Sequence, residues 1–201
     1  MDRTIPDEVL MQNYAKGEMA AFDELLARHR QPLFGYLCRM LGNRELAEDV
    51  FQEVFIRVIN ARERYEKSAK FTTWLYKIAH NLCIDTFRRE NFRKTESLFE
   101  PASNANGEDV SLQEVIPGAN PGPDEIIARQ QLSEILKRCV SRLSPEQREV
   151  FVLRQYQELS FREIAHATET TESTVKSRMR YALNNLRTML VEERIVEGVT
   201  F

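Results

Sequence analysis

Apolar residues recur every three to four positions through most of the chain, the period of an amphipathic helix. Val9, Leu10 and Tyr14 give a first apolar face; Gly17 interrupts it; Phe22, Leu25, Leu26, Leu33, Leu37, Met40 and Leu41 continue it. Pro32 predicts a break or kink near Gln31, because proline lacks the N–H and its ring crowds the preceding turn. Gly42 then ends the helix, and Asn43 is an N-cap for the next. Val50, Phe51, Val54, Phe55 and Val58 fill one side of that next helix. Asp49, Gln52, Glu53 and Ile56, at i, i+3, i+4 and i+7, share the other. After a polar loop, a further helix opens with Phe71, Trp74 and Tyr76 and ends with Arg88 and Arg89, with Asn81 and Asp85 between. No strand-like alternation is convincing, so the expected class is all-α.

The pattern changes at 93–124. This stretch holds four of the seven prolines and three of the seven glycines, with 2 basic and 6 acidic residues and no sustained period. It reads as a linker. As a flexible coil it reaches about 30 Å on average, enough for two domains, 1–92 and 125–201, to work at separate places. Helical periodicity returns after it. Ile127, Leu132, Ile135, Leu136, Cys139, Val140 and Leu143 make one face. Ser144-Pro145-Glu146-Gln147 predicts a helix start, with serine as N-cap, proline at N1 and glutamine at N3. Ser160-Phe161-Arg162-Glu163 is a second capping box. A turn at 168–171 leads to a long final helix with Val175, Met179, Leu183, Leu186 and Leu190 as its expected buried stripe.

The chain has 201 residues, of which 42% are hydrophobic, so both halves can hold a core. Net charge is −3, which does not announce a nucleic-acid binder. The distribution says more. Between Ser173 and Val191 stand Lys176, Arg178, Arg180 and Arg187 with no acidic residue, and a local patch can bind DNA inside a mildly acidic protein. Cys38, Cys83 and Cys139 are odd in number, widely spaced and set in helical apolar patterns. They read as small core residues in a reducing cytoplasm. The N-terminus lacks the apolar stretch of a signal peptide, and no run reaches the roughly 18 apolar residues of a membrane span. His80 and Cys83 could be half a metal site, but no second pair accompanies them, so no metal or other cofactor is expected. No nucleophile with a supporting base and no glycine-rich phosphate loop stands out, so the chain is not expected to be an enzyme.

Two stretches carry candidate function. The helix after residue 70, aromatic at its start and basic at its end, suits stacking on unpaired bases and holding phosphates. From the residues alone, a core filled by the aromatics with the charges solvated is the better-supported reading. The short capped helix, tight turn and longer helix at 160–193 form a helix-turn-helix pattern. There Lys176, Ser177, Arg178 and Arg180 would meet phosphates and base edges in the major groove. Glu169 stands where such turns usually place glycine, and Thr168 where an apolar residue is usual; a positive φ at Glu169 would cost on the order of 1 kcal/mol.

D-x-x-Q-E-x-F at 49–55 followed by FTTWLYKIAHNLCIDTFRR at 71–89 resembles region 2 of a bacterial sigma factor of the extracytoplasmic-function (ECF) group. The segment with the helix-turn-helix pattern resembles sigma region 4. The resemblance implies that Asp49, Gln52, Glu53 and Ile56 face the β′ clamp helices of RNA polymerase, with the β flap as a further contact of the core enzyme. It assigns Tyr65, Lys67, Ser68, Phe71, Trp74, Asn81, Arg88 and Arg89 to the −10 promoter element. It assigns Lys176, Ser177, Arg178, Arg180 and Tyr181 to the −35 element. It also implies a linker threaded toward the polymerase channels, promoter melting with a base trapped beside residues 65–70, and a plausible anti-sigma partner. A plain helix-turn-helix regulator with a sensory or dimerisation bundle is the alternative.

Overall fold

The computed structural model describes residues 5–65, 70–96 and 123–193. Among them the chain forms α1 (Asp7–Ala15), α2 (Met19–Leu41), α3 (Arg44–Asn60), a 3-10 turn (Arg62–Arg64), α4 (Phe71–Glu96), α5 (Pro123–Ser141), α6 (Pro145–Gln155), α7 (Phe161–Ala167) and α8 (Glu172–Glu192), with no strand. The fold class is all-α.

Local signals set most boundaries. Gly42 closes α2 in the left-handed conformation at φ 66°, and the Asn43 side chain accepts from the Leu46 N–H to open α3. Such a conformation is open to glycine without a Cβ clash. At α7 the capping box is complete: the Ser160 N–H donates to Glu163 Oε2 at 2.8 Å and the Glu163 N–H to Ser160 Oγ at 3.3 Å. At α6 it is half made. Ser144 Oγ accepts from the Gln147 N–H at 3.4 Å, but the Gln147 side chain accepts from Asn185 Nδ2 of α8 at 2.9 Å instead of turning back.

Three expectations are corrected by packing. Of the break or kink expected at Pro32, the break does not occur: α2 runs through it. An interior proline costs about 3 kcal/mol, but Leu25, Leu33, Tyr36, Leu37 and Met40 on both sides of it are all buried, and each such side chain contributes about 1.5–3 kcal/mol. The buried stripe of α8 is Val175, Met179, Ala182, Leu186 and Met189. Leu183 is exposed and Leu190 half-buried. Small Ala182 faces inward where its larger neighbour does not, because that face lies against α6 and α7. Leu132 of α5 is likewise exposed.

The N-terminal half packs α1–α4 around an aromatic core. Tyr14 stacks on Phe22 at 4.7 Å, Phe22 meets Phe55, and Phe51 meets both Phe55 and Phe34. Helix α1 is tied down by its acids: Asp7 holds Arg28 at 2.8 Å and His29 at 2.7 Å. Glu8 Oε1 accepts from the Phe71 N–H at 2.8 Å and so caps α4 from a distant part of the chain.

The C-terminal half packs on the N-terminal one, α7 against α4 and α6 against α2. Glu149 lies buried in the seam, where Tyr36 Oη donates to its Oε1 at 2.7 Å and His80 Nδ1 lies 2.7 Å from the same oxygen. Arg148 donates to the carbonyls of Arg39 and Met40, Tyr76 Oη donates to Gln157 Oε1, and the Arg39 guanidinium sits 4.0 Å over the Tyr156 ring.

Candidate nucleic-acid interface

On α3 the stripe is split as its periodicity requires. Val50, Val54, Phe55 and Val58 are buried, whereas Asp49 and Gln52 are exposed and Ile56 is 49% exposed. Glu53 is half-buried and accepts from Arg57 Nε at 3.0 Å. An apolar side chain left half open beside three polar ones is a surface suited to a protein partner. A groove of about 700 Å³ separates α3 from α4, with Asp49, Glu53 and Arg57 on one wall and Asp85, Arg88 and Arg89 on the other. Two groups of residues picked out for different tasks therefore share one groove.

The aromatics at the start of α4 form one cluster. Trp74 lies 5.1 Å from Tyr65 and 5.8 Å from Phe71, and Phe71 also meets His29 at 5.2 Å. Phe71 is fully buried and presents no surface to a base in this arrangement. Tyr65, Trp74 and Asn81 are half-buried; Arg88 and Arg89 are exposed. Burial, with Glu8 and then Asp7 nearby, pushes the Tyr65 phenol up to about 12. Lys67 and Ser68 lie outside the described residues.

Helix α8 is presented differently. Thr171 caps it by accepting from the Thr174 N–H at 3.2 Å. Lys176, Arg180 and Tyr181 are exposed, and Ser177 and Arg178 half-buried. Lys176 pairs with Glu172 at 2.7 Å, one turn back, and the Arg180 guanidinium lies 5.3 Å from the Tyr181 ring centre. Glu169 does adopt the left-handed conformation, at φ 52°. Thr168 is buried without cost to its hydroxyl, which donates to the Ile164 carbonyl at 2.8 Å.

His80 turns its Nδ1 to Glu149, and Cys83 is buried, so this pair points into the protein's own seam. No group of three or more metal-ligating side chains gathers among the described residues. Sequence reasoning missed Glu8 as the cap of α4 and Glu149 as the centre of the seam. A carboxylate on a helix carries no mark in sequence that it will be satisfied from 63 or 113 residues away.

Family models for Sigma-70 region 2 and Sigma-70 region 4 match residues 25–93 and 133–186. The ECF RNA polymerase sigma factor SigW of Bacillus subtilis is 31% identical over 175 residues, covering 87% of this chain and 91% of that protein. The chain belongs to the ECF sigma factors. Among solved structures, CnrH in complex with the cytosolic domain of CnrY matches 92% of this sigma factor and 97% of that chain, with a TM-score of 0.64 and 23% identity. The sigma factor RpoE of Bartonella quintana, in complex with the anti-sigma factor NepR, matches 84% and 96%, with a TM-score of 0.65 and 20% identity. Both show that the fold is shared. Helix α1 of this chain lies ahead of the region 2 match.

Proposed function

We propose that this sigma factor binds core RNA polymerase through α3 and reads promoter DNA with α4 and α8. The observation that carries the reading is the pair of outward faces: Gln52 and Ile56 over a buried Val54–Val58 side, and Lys176, Arg180 and Tyr181 over a buried Val175–Met179–Ala182 side. Asp49, Gln52, Glu53 and Ile56 meet the β′ clamp helices, and the 125–201 domain meets the β flap. The half-open Tyr65–Trp74 cluster, Asn81, Arg88 and Arg89, with Lys67 and Ser68, serve the −10 element. Phe71 supports that set from the core. Lys176, Ser177, Arg178, Arg180 and Tyr181 serve the −35 element, with arginine suited to bidentate contact with guanine. The two domains, expected as 1–92 and 125–201, are joined by an acidic linker expected at 93–124, which is shorter than that at both ends because α4 continues to Glu96 and α5 begins at Pro123.

The chain does no covalent chemistry of its own; it lends promoter specificity to an enzyme in the cytoplasm. Its solved relative from Bartonella quintana carries an anti-sigma factor, and a partner of that class suits this chain. Among the described residues no helix is long and apolar enough to cross a membrane. The test is transcription in vitro with core polymerase on genomic templates. Discrete promoter-dependent transcripts that require the chain are expected; their absence, with no co-elution of chain and core polymerase, overturns the reading.

A further inference from the structure

Helix α4 begins without a local cap. The Lys70 carbonyl accepts from the Trp74 N–H at 3.2 Å, so Lys70 is the N-cap residue. A lysine side chain has no acceptor to offer the free N–H groups of a first turn. The acceptor comes from α1: Glu8 Oε1 takes the Phe71 N–H at 2.8 Å, where a carboxylate also complements the helix dipole. That first turn carries Phe71 and Trp74, the two rings of α4 that pack with Tyr65.

Glu8 is itself held in place. Its neighbour Asp7 bonds Arg28 and His29 of α2. Arg28 Nη1 also donates to the Ile5 carbonyl at 2.6 Å, and Leu10, Met11 and Tyr14 of α1 are buried. Two consecutive acids therefore have separate tasks: Asp7 fixes α1 on α2, and Glu8 fixes the start of α4 on α1. His29 joins the two, because its ring lies 5.2 Å from that of Phe71. Burial and then Glu8 oppose ionisation of the Tyr65 phenol, so one carboxylate stands near Tyr65 and the start of α4 alike.

We propose that Glu8 is a positioning residue for promoter melting: by capping α4 it sets how Trp74 faces Tyr65, and so preorganises the pair that receives an unstacked base. The inference rests on the reading of that pair as part of the −10 surface. Glu8 acts through the Phe71 backbone and is half-buried. Taking a base out of the stack costs free energy, and a receiving surface that must first order itself adds to that cost. Loss of Glu8 therefore penalises the melted state and spares the closed complex, in which the bases are still stacked.

The test uses the full chain. Trp74 is its only tryptophan, so acrylamide quenching of the free protein reads the exposure of that ring, and circular dichroism checks that each variant is folded. Gel shift and permanganate footprinting of holoenzyme then score closed and open complexes on one promoter. Glu8→Ala is expected to raise the quenching constant and to lower open complex about fivefold, the scale of one lost cap, with closed complex unchanged. Glu8→Gln keeps an oxygen acceptor and is expected to restore both readouts. Glu8→Asp keeps the charge but falls one methylene short; it is expected to behave as Glu8→Ala does and replaces it if that variant does not fold. Equal loss of closed and open complexes in folded variants makes Glu8 a structural residue only and overturns the proposal. So does a Glu8→Gln variant as defective as Glu8→Ala, or quenching and melting indifferent to all three substitutions. A parent chain that melts no promoter with core polymerase overturns the −10 reading as well, whereas a melting parent whose variants melt equally overturns the role of Glu8 alone.

Discussion

Helix α8 turns Lys176, Arg180 and Tyr181 away from a buried Val175, Met179 and Ala182, whereas α4 keeps Phe71 fully buried and offers Trp74 only in part. The difference follows from the substrate each helix is proposed to meet. A duplex groove is read by side chains that protrude from an unobstructed helix. An unstacked base needs a recess, and a recess is built from residues that belong partly to the core. On this proposal the N-terminal half couples its DNA surface to its stability, and the C-terminal half separates the two.

The sharpest way to break that contrast is Phe71→Ala. Removing a fully buried ring costs about 3–5 kcal/mol, so denaturant unfolding should show a large loss of stability in the N-terminal half. A variant as stable as the parent, with a selective loss of promoter melting, would make Phe71 a surface reader and remove the distinction.

The α3 stripe should behave as α8 does, although it lies in the N-terminal half. Gln52→Ala with Glu53→Arg is expected to abolish binding of core polymerase in a pull-down. Stability should change by no more than about 0.5 kcal/mol, because neither side chain is in the core. Unchanged affinity would remove the polymerase assignment of this face.

On α8 itself, Arg178→Ala should cost about 1–3 kcal/mol on the best −35 sequence and relax preference at one or two base pairs. Arg187 lies further along the helix and should at most contact phosphate, so Arg187→Ala should weaken all sequences alike, with any loss shrinking at high salt. Titration of holoenzyme against single-base −35 variants distinguishes them. Equal loss across variants for Arg178→Ala would make it a phosphate anchor.

The smallest effect is a pH dependence. Burial pushes the Glu163 carboxyl up, but Lys70 and the Ser160 hydrogen bonds outweigh it and hold the group at about 2, below its usual 4.5. A carboxyl depressed on folding contributes stability that is complete above the unfolded value and lost as pH falls through the folded one. Denaturant midpoints should therefore fall between about pH 4.5 and 2 more steeply for the parent than for Glu163→Gln. Parallel curves would dissociate Glu163 from the seam.

Capping, periodicity and turn chemistry were legible in the residues themselves. Gly42-Asn43 marks the α2–α3 junction, Ser160 and Glu163 open α7, and Glu169 takes the positive φ that its place in the turn demands. The polar stripe of α3 is likewise read from spacing alone. Each of these depends on neighbours within about one helical turn, where backbone geometry dictates who meets whom. Other features depended on partners far along the chain. Pro32 stays inside α2 because the burial on both sides of it outweighs one lost hydrogen bond. Gln147 leaves its own helix start for Asn185, Ala182 turns inward in place of Leu183, and Phe71 goes to the core beside His29. Glu149 lies between Tyr36 and His80, 113 and 69 residues away. Local sequence says which groups are available for such contacts; only the packing of one half on the other decides which of them meet, because burial makes an unpartnered carboxylate costly.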